Sequence, residues 1–177
     1  IGPEKYRGMY NTAEILLLGC NIDDDELLEA KAKVNCHDTV NMQYTSGTTG
    51  FPKGVMLSSK NIISNAIQAI SRFKQTDGYK IYCPLPLFHS LSQNICVWSN
   101  FLIGGTAIIS PKIDRKNITK GFEHKPDIFI GVPAIYGMLC MLKDLNFSNI
   151  EYFVCGGDAL PNKIKMFFEL VYKRKIC

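Results

Sequence analysis

The sequence predicts an α/β fold: a mainly parallel sheet with helices on both faces. Three observations carry this. From residue 80 onward, short runs that are apolar throughout alternate with stretches of helical length. A strand apolar on both faces belongs inside a sheet covered on both sides, and strands separated by helices of about 10–13 residues read as βαβ units. Finally, a segment rich in Gly, Ser and Thr follows an apolar strand, the usual setting of an anion-binding loop.

Taken in chain order, Ile15–Leu18 reads as a brief strand-like run. Asp23, Asp24 and Asp25 precede a helix over Glu26–Lys33, where acidic residues favour the N-terminal dipole. The acidic triplet lacks the Gly and terminal Glu of a calcium loop. Val40–Thr45 is a strand and Ser46–Gly54 a loop. Lys60–Phe73 is a helix with Ile62, Ile63, Ala66, Ile67 and Ile70 on one face. Lys80–Pro84 is a β-prone run, and Leu91–Leu102 reads as an apolar helix. A strand over Thr106–Ser110 precedes an amphipathic helix over Ile113–Phe122. A strand over Asp127–Gly131 leads through Pro133 into a helix over Ala134–Leu142. Tyr152–Cys155 is the last strand. The closing helix, Pro161–Lys173, has its proline near the first turn, where a missing N–H is harmless. These elements divide the chain into a peripheral lead-in (1–39), a strand-loop-helix unit (40–79) and βα repeats (80–177).

Composition fits an ordinary globular chain of 177 residues: 46% hydrophobic, 20% charged, 14 Gly and 8 Pro, which excludes collagenous and disordered classes. Twenty basic and sixteen acidic residues give a net charge of +4, too mild to imply nucleic acid. The longest charge-free stretches are 81–111 and 128–142. Prolines, glycines and polar residues interrupt the first, and the second is too short for a membrane span. The chain starts at Ile1 without Met or a signal-peptide pattern, which reads as a piece of a longer chain. Seven cysteines, an odd number without a CxxC pair, read as free and mostly buried thiols in a reducing compartment, hence a cytoplasmic location. Cys36 and His37 are neighbours but a poor ligand pair, because adjacent side chains on an extended segment point apart. No metal site is assigned.

The most informative stretch is Tyr44-Thr45-Ser46-Gly47-Thr48-Thr49-Gly50-Phe51-Pro52-Lys53-Gly54, with three glycines, four Ser/Thr residues and one lysine in eleven positions. Glycines let backbone N–H groups converge on an anion, hydroxyls add short donors and the lysine adds a point charge. That composition suits a polyphosphate. It is not a Walker A loop, since Pro52 precedes Lys53 and Gly54 follows it. Nor does any serine sit in a G-x-S-x-G elbow.

In this segment the sequence resembles the acyl-adenylate-forming superfamily, whose members include acyl-CoA synthetases, firefly-type luciferases and peptide-synthetase adenylation domains. Tyr44–Gly54 is similar to that family's phosphate-binding signature. Three further segments follow in the family's order. Pro86-Leu87-Phe88-His89-Ser90 looks like its aromatic-histidine segment, and Gly131-Val132-Pro133-Ala134-Ile135-Tyr136 like the turn before its pocket helix. Cys155-Gly156-Gly157-Asp158-Ala159-Leu160-Pro161 looks like the segment along the adenine. Val40–Gln43 and Val55–Ser58 look most like fatty acyl-CoA synthetases, medium-chain members first. Ser59 stands where relatives often have His.

The resemblance implies an incomplete central piece of the large N-terminal domain of such an enzyme. It implies ATP, Mg2+ and coenzyme A as cofactors and a carboxylic acid as substrate. Thr45, Ser46, Gly47, Thr48, Thr49, Gly50 and Lys53 would hold the phosphates, with Lys53 and His89 as the catalytic residues. Gly157, Asp158 and Ala159 would contact the adenine. On the residues alone, His89 also reads as a packed core histidine, and Gly156–Ala159 as a plain strand-to-helix turn. Phe88, Trp98, Phe101 and Tyr136 read either as an acyl pocket or as ordinary core. The family's next motif, its ribose-binding Asp, its hinge and its C-terminal domain with a catalytic Lys would all lie beyond Cys177. The 177 residues alone are therefore expected to be inactive, and a sheet cut mid-fold is expected to expose apolar edges that favour self-association. A nucleotide-binding or scaffold module without chemistry, and an adenylating relative with another acceptor, are the alternatives.

Overall fold

The computed structural model describes residues 8–45, 50–142 and 145–177. Residues 1–38 and 39–177 form two compact units. In the first, helix α1 (Thr12–Gly19) starts at Asn11, whose side chain accepts the Glu14 N–H at 2.9 Å while Glu14 accepts the Asn11 N–H at 3.0 Å. This reciprocal cap corrects the strand expected at Ile15–Leu18. A short apolar run does not by itself distinguish helix from strand, and here the polar residues flanking it decide. Helix α2 (Asp24–Lys33) starts as expected from the acidic triplet, with Asp23 as its cap, 2.8 Å from the Glu26 N–H.

The second unit opens with an antiparallel hairpin, β1 (Thr39–Thr45) and β2 (Lys53–Ser58), with Thr45 directly opposite Lys53. Lys53 and Gly54, expected in the loop, thus belong to a strand, because their backbone pairs with Thr45 and Tyr44. A Cβ on Gly54 would lie 2.8 Å from the Met42 Sδ, so that exposed, flexible side chain would have to shift. Helix α3 (Ser59–Arg72) begins at a second reciprocal cap, Ser58 with Asn61. Its expected apolar face is only partly covered: Ala66 is buried, but Ile63 and Ile67 are 45% and 55% exposed.

The remaining strands form a four-stranded parallel sheet in the order β4-β3-β5-β6: β3 (Lys80–Tyr82), β4 (Thr106–Ile108), β5 (Ile128–Gly131) and β6 (Tyr152–Cys155). Between β3 and β4 a continuous helical segment runs through α4 (Ser90–Ser92), a π-helical stretch (Gln93–Trp98) and α5 (Ser99–Leu102). The other crossovers are α6 (Arg115–Glu123) and α7 (Pro133–Cys140), and α8 (Asn162–Tyr172) follows β6.

Register places Tyr82, Phe129 and Phe153 side by side, so one face of the sheet is an aromatic row. Phe122 of α6, Tyr136 of α7, and Phe168 and Tyr172 of α8 pack edge-on or tilted against it or through Phe147. Ile81 and Ile128 pair on the opposite face, where the Cys96 thiol of the π-helical stretch reaches the Ile81 carbonyl. After α8, Ile176 pairs in parallel with Phe153, and the Cys177 N–H donates to the Phe153 carbonyl at 2.7 Å.

Candidate functional site

The order β4-β3-β5-β6 has a consequence for ligands. The chain leaves β3 toward β4 on one side, and then returns to place β5 on the other. The connections after β3 and β5 therefore diverge, which makes the carboxyl ends of these strands a topological switch point, the place where open α/β sheets bind ligands. Three of the segments singled out in the sequence leave the sheet at this edge: 83–89 after β3, 132–133 after β5 and 156–159 after β6.

Packing draws the three together. The Gly156 N–H donates to the Gly131 carbonyl at 3.1 Å, which extends the β5–β6 pairing past the last strand residue. A Cβ on Gly156 would sit 3.1 Å from Leu91, two residues beyond His89. Gly157 lies at φ +83°, a left-handed conformation natural to glycine, beside Val132. Asp158 and Ala159 are exposed, and the Asp158 carboxylate accepts the Ala159 N–H at 2.7 Å.

His89 is exposed and caps α4, which corrects the reading of a packed core histidine. Its Nδ1 accepts the Leu91 N–H at 3.2 Å. In the neutral ring this acceptor role assigns the proton to Nε2, which is left to donate outward.

The phosphate-loop residues Ser46, Gly47, Thr48 and Thr49 lie outside the described residues. Those on either side of them are defined. Thr45 ends β1, Lys53 opens β2, and Gly50 is exposed at φ +94°. Directly opposed residues of an antiparallel pair share a face, and so do residues two apart on one strand. Asn41, Gln43, Thr45 and Lys53 therefore lie on a single face of the hairpin. That face is docked on the helical segment after His89: Asn41 Nδ2 and Gln43 Nε2 both donate to Gln93 Oε1, at 2.7 and 3.2 Å. Sequence reasoning missed these amides. The available signal was the alternation of β1, with polar Asn41 and Gln43 between Val40, Met42 and Tyr44. It is inverted relative to most half-buried strands, since the amides are half-buried and the apolar residues exposed.

The four aromatics weighed as an acyl pocket do not come together as a set. Tyr136 is buried in the core and its hydroxyl donates to the Val154 carbonyl at 2.9 Å. Phe88 and Phe101 are 79% and 72% exposed. Trp98 and Phe101 do meet, edge-on at 5.7 Å, and both line an apolar cleft of about 340 Å³ with Val40, Ile62, Ile63 and Leu102; Trp98 also lines one of about 370 Å³ between α3 and the helical segment, with Asn65, Leu91 and Gln93.

The cysteines are free but only partly buried: Cys83 and Cys96 are enclosed, while Cys20, Cys36 and Cys177 are exposed. The hydrogen bond to Cys83, together with burial, pushes the Cys96 thiol up. Among the described residues no group of three His, Cys, Asp or Glu side chains would hold a metal, and no helix is long and apolar enough to cross a membrane.

The sequence model of the AMP-binding enzyme family matches residues 8–177. The putative acyl-CoA synthetase YngI of Bacillus subtilis (strain 168) is 34% identical over 168 residues, which cover 93% of this chain and 31% of that protein. The long-chain-fatty-acid–CoA ligase of the same organism is 36% identical over 146 residues, 79% of this chain and 26% of that protein. The chain thus spans less than a third of either relative. Among solved structures, ATP-bound MatB from Rhodopseudomonas palustris superimposes with a TM-score of 0.73 over 85% of this chain and 32% of its own, at 23% identity, a likeness of fold.

Proposed function

Because the chain belongs to the AMP-binding enzyme family, the acyl-adenylate-forming superfamily, we propose that it supplies the phosphate- and carboxylate-facing parts of an ATP-dependent acyl-CoA ligase. The reaction is activation of a fatty or other carboxylic acid as acyl-AMP with release of pyrophosphate, followed by transfer of the acyl group to coenzyme A. One observation carries this reading. The fold gathers the His89, Val132 and Gly157 segments on one sheet edge, and the hairpin face bearing Thr45 and Lys53 docks on the helical segment that His89 begins.

The first step brings a carboxylate oxygen to the α-phosphorus of ATP and gathers charge on the departing pyrophosphate. Donors preorganised around the β- and γ-phosphates lower that barrier, since they need no reorientation as the charge develops. Lys53 and the Thr45 hydroxyl are assigned this role together with Ser46, Gly47, Thr48, Thr49 and Gly50. The His89 Nε2–H faces the reacting carboxylate and offsets its charge, and Gly157, Asp158 and Ala159 border the adenine. Mg2+ and coenzyme A enter this reading through the family, and rest largely on parts of such an enzyme outside these 177 residues. On this reading the 177 residues alone do not turn over.

Replacing Lys53 with Ala in a full-length protein that carries this segment tests the assignment. Pyrophosphate release with ATP and a fatty acid is expected to fall about 10²–10³-fold, the usual effect of losing one such donor. Unchanged turnover would remove Lys53 from the mechanism. A series of acids of graded chain length in the same assay identifies the acyl substrate, with medium-chain acids expected first.

A further inference from the structure

The helical segment after His89 is fixed to both arms of the hairpin-helix unit through two successive residues. The Gln93 Oε1 accepts from Asn41 and Gln43 of β1, and the Asn94 side-chain amide donates to Asn65 of α3. Both open the π-helical stretch Gln93–Trp98. A wide π turn is less favourable than α-helix and recurs at functional sites, where it re-aims side chains. Here it coincides with the residues that contact two different elements. Gln93 also follows His89 by one turn, its N–H donating to the His89 carbonyl at 3.0 Å.

We propose that Gln93 is a positioning residue: it holds β1 against the helical segment and so fixes the hairpin face of Thr45 and Lys53 relative to His89. Without it, the hairpin keeps its own backbone pairing but loses its polar link to the segment that carries the histidine. The nucleotide consequences rest on the functional reading above; the mechanical role does not. An acceptor shared by two amide donors is sensitive to deletion, because both donors lose their partner at once. Nonlocal polar links of this kind also set register where apolar packing does not, and this face of β1 is polar.

The test uses the full chain with Gln93→Met, which keeps the length of the side chain and removes the acceptor, and a separate Asn41→Ala/Gln43→Ala variant made on the other partner. Hydrogen exchange without ligand is expected to accelerate about tenfold at β1 and β2 in both variants, with β5 and β6 unchanged. Calorimetry with magnesium-ATP and with AMP is expected to show about tenfold weaker ATP binding and AMP binding unchanged within about twofold, because AMP lacks the β- and γ-phosphates aimed at the hairpin. Combining the variants is expected to add nothing further, since both remove one link. Unchanged hairpin exchange, equal losses for ATP and AMP, or additive effects would overturn the proposal. If the unmodified chain binds neither nucleotide, the functional reading fails and the exchange measurement alone decides the role of Gln93.

Discussion

Gly121, on the face of α6 that covers the sheet, is the tightest test of how the carboxyl end of β3 is held. A Cβ at this position would meet Cζ of Tyr82 most closely and lie 2.5 Å from both its Cε1 and Oη, whereas carbon contacts settle near about 3.5 Å. The ring would have to retreat by roughly 1–1.5 Å. It has nowhere to go, being fully buried and met edge-on by Phe122 at 5.2 Å and Phe129 at 5.4 Å. Moving it would also strain the Tyr82 hydroxyl contact with Ser110 at 2.8 Å and those with the carbonyls of Asn117 and Ile118. Overpacking costs about 1–3 kcal/mol, and a loosened buried hydroxyl about 1–2 kcal/mol more. Against this stands a gain of about 1 kcal/mol from replacing Gly by Ala inside a helix. Gly121→Ala is therefore expected to destabilise the chain by about 1–4 kcal/mol in urea unfolding. In a Tyr82→Leu background, which removes the ring, the same substitution is expected to be neutral or stabilising. An unchanged or raised midpoint with Tyr82 present, or an equal loss in both backgrounds, would refute the steric argument. Tyr82 is the last residue of β3, so the same test reports on the strand end that leads to His89.

Two further outcomes follow from the site and its supports. Gly157→Ala meets no steric block, as the nearest atom is Val132 Cγ1 at 3.4 Å, but its φ of +83° is unfavourable for alanine by about 1–2 kcal/mol. Unfolding should show a loss of that order, Gly157→Asn should lose less, and AMP titration should weaken in parallel if the segment borders the nucleotide. Asp114, the cap of α6, is held below its ordinary value of 3.8, chiefly by the Asn117 N–H that its carboxylate accepts at 2.8 Å. A lowered folded-state pKa contributes stability that is complete above 3.8 and is lost as pH falls through the lower folded value. An NMR titration of Asp114 should show the depressed midpoint, and Asp114→Asn should remove this contribution to the acid limb; a midpoint at the ordinary value would contradict the cap.

Much of the fold is legible because its signals are local. The apolar runs at 106–108, 128–131 and 152–155 are strands since only a sheet covered on both faces hides such residues, and Pro133 and the Asp23 cap mark helix starts through their own backbone requirements. The exceptions are instructive. Ile15–Leu18 is equally apolar, but its flanking Asn11 and Glu14 close a helix cap, so neighbouring polar residues outweigh the run itself. Lys53–Ser58 became a strand only by pairing with β1, a partner the local pattern does not name.

The family membership follows from the sequence because glycines, hydroxyls and a lysine at fixed spacing are chemistry that the chain carries along its length. The tertiary structure alone decided two things: the order β4-β3-β5-β6 that sets the switch point between β3 and β5, and the clamp from Asn41 and Gln43 to Gln93 across about 50 residues of chain. The physical reason is the same for both. Periodicity and capping, the His89 cap of α4 included, depend on residues a few positions apart, whereas strand order and amide pairing depend on which distant segments meet once the core has excluded water.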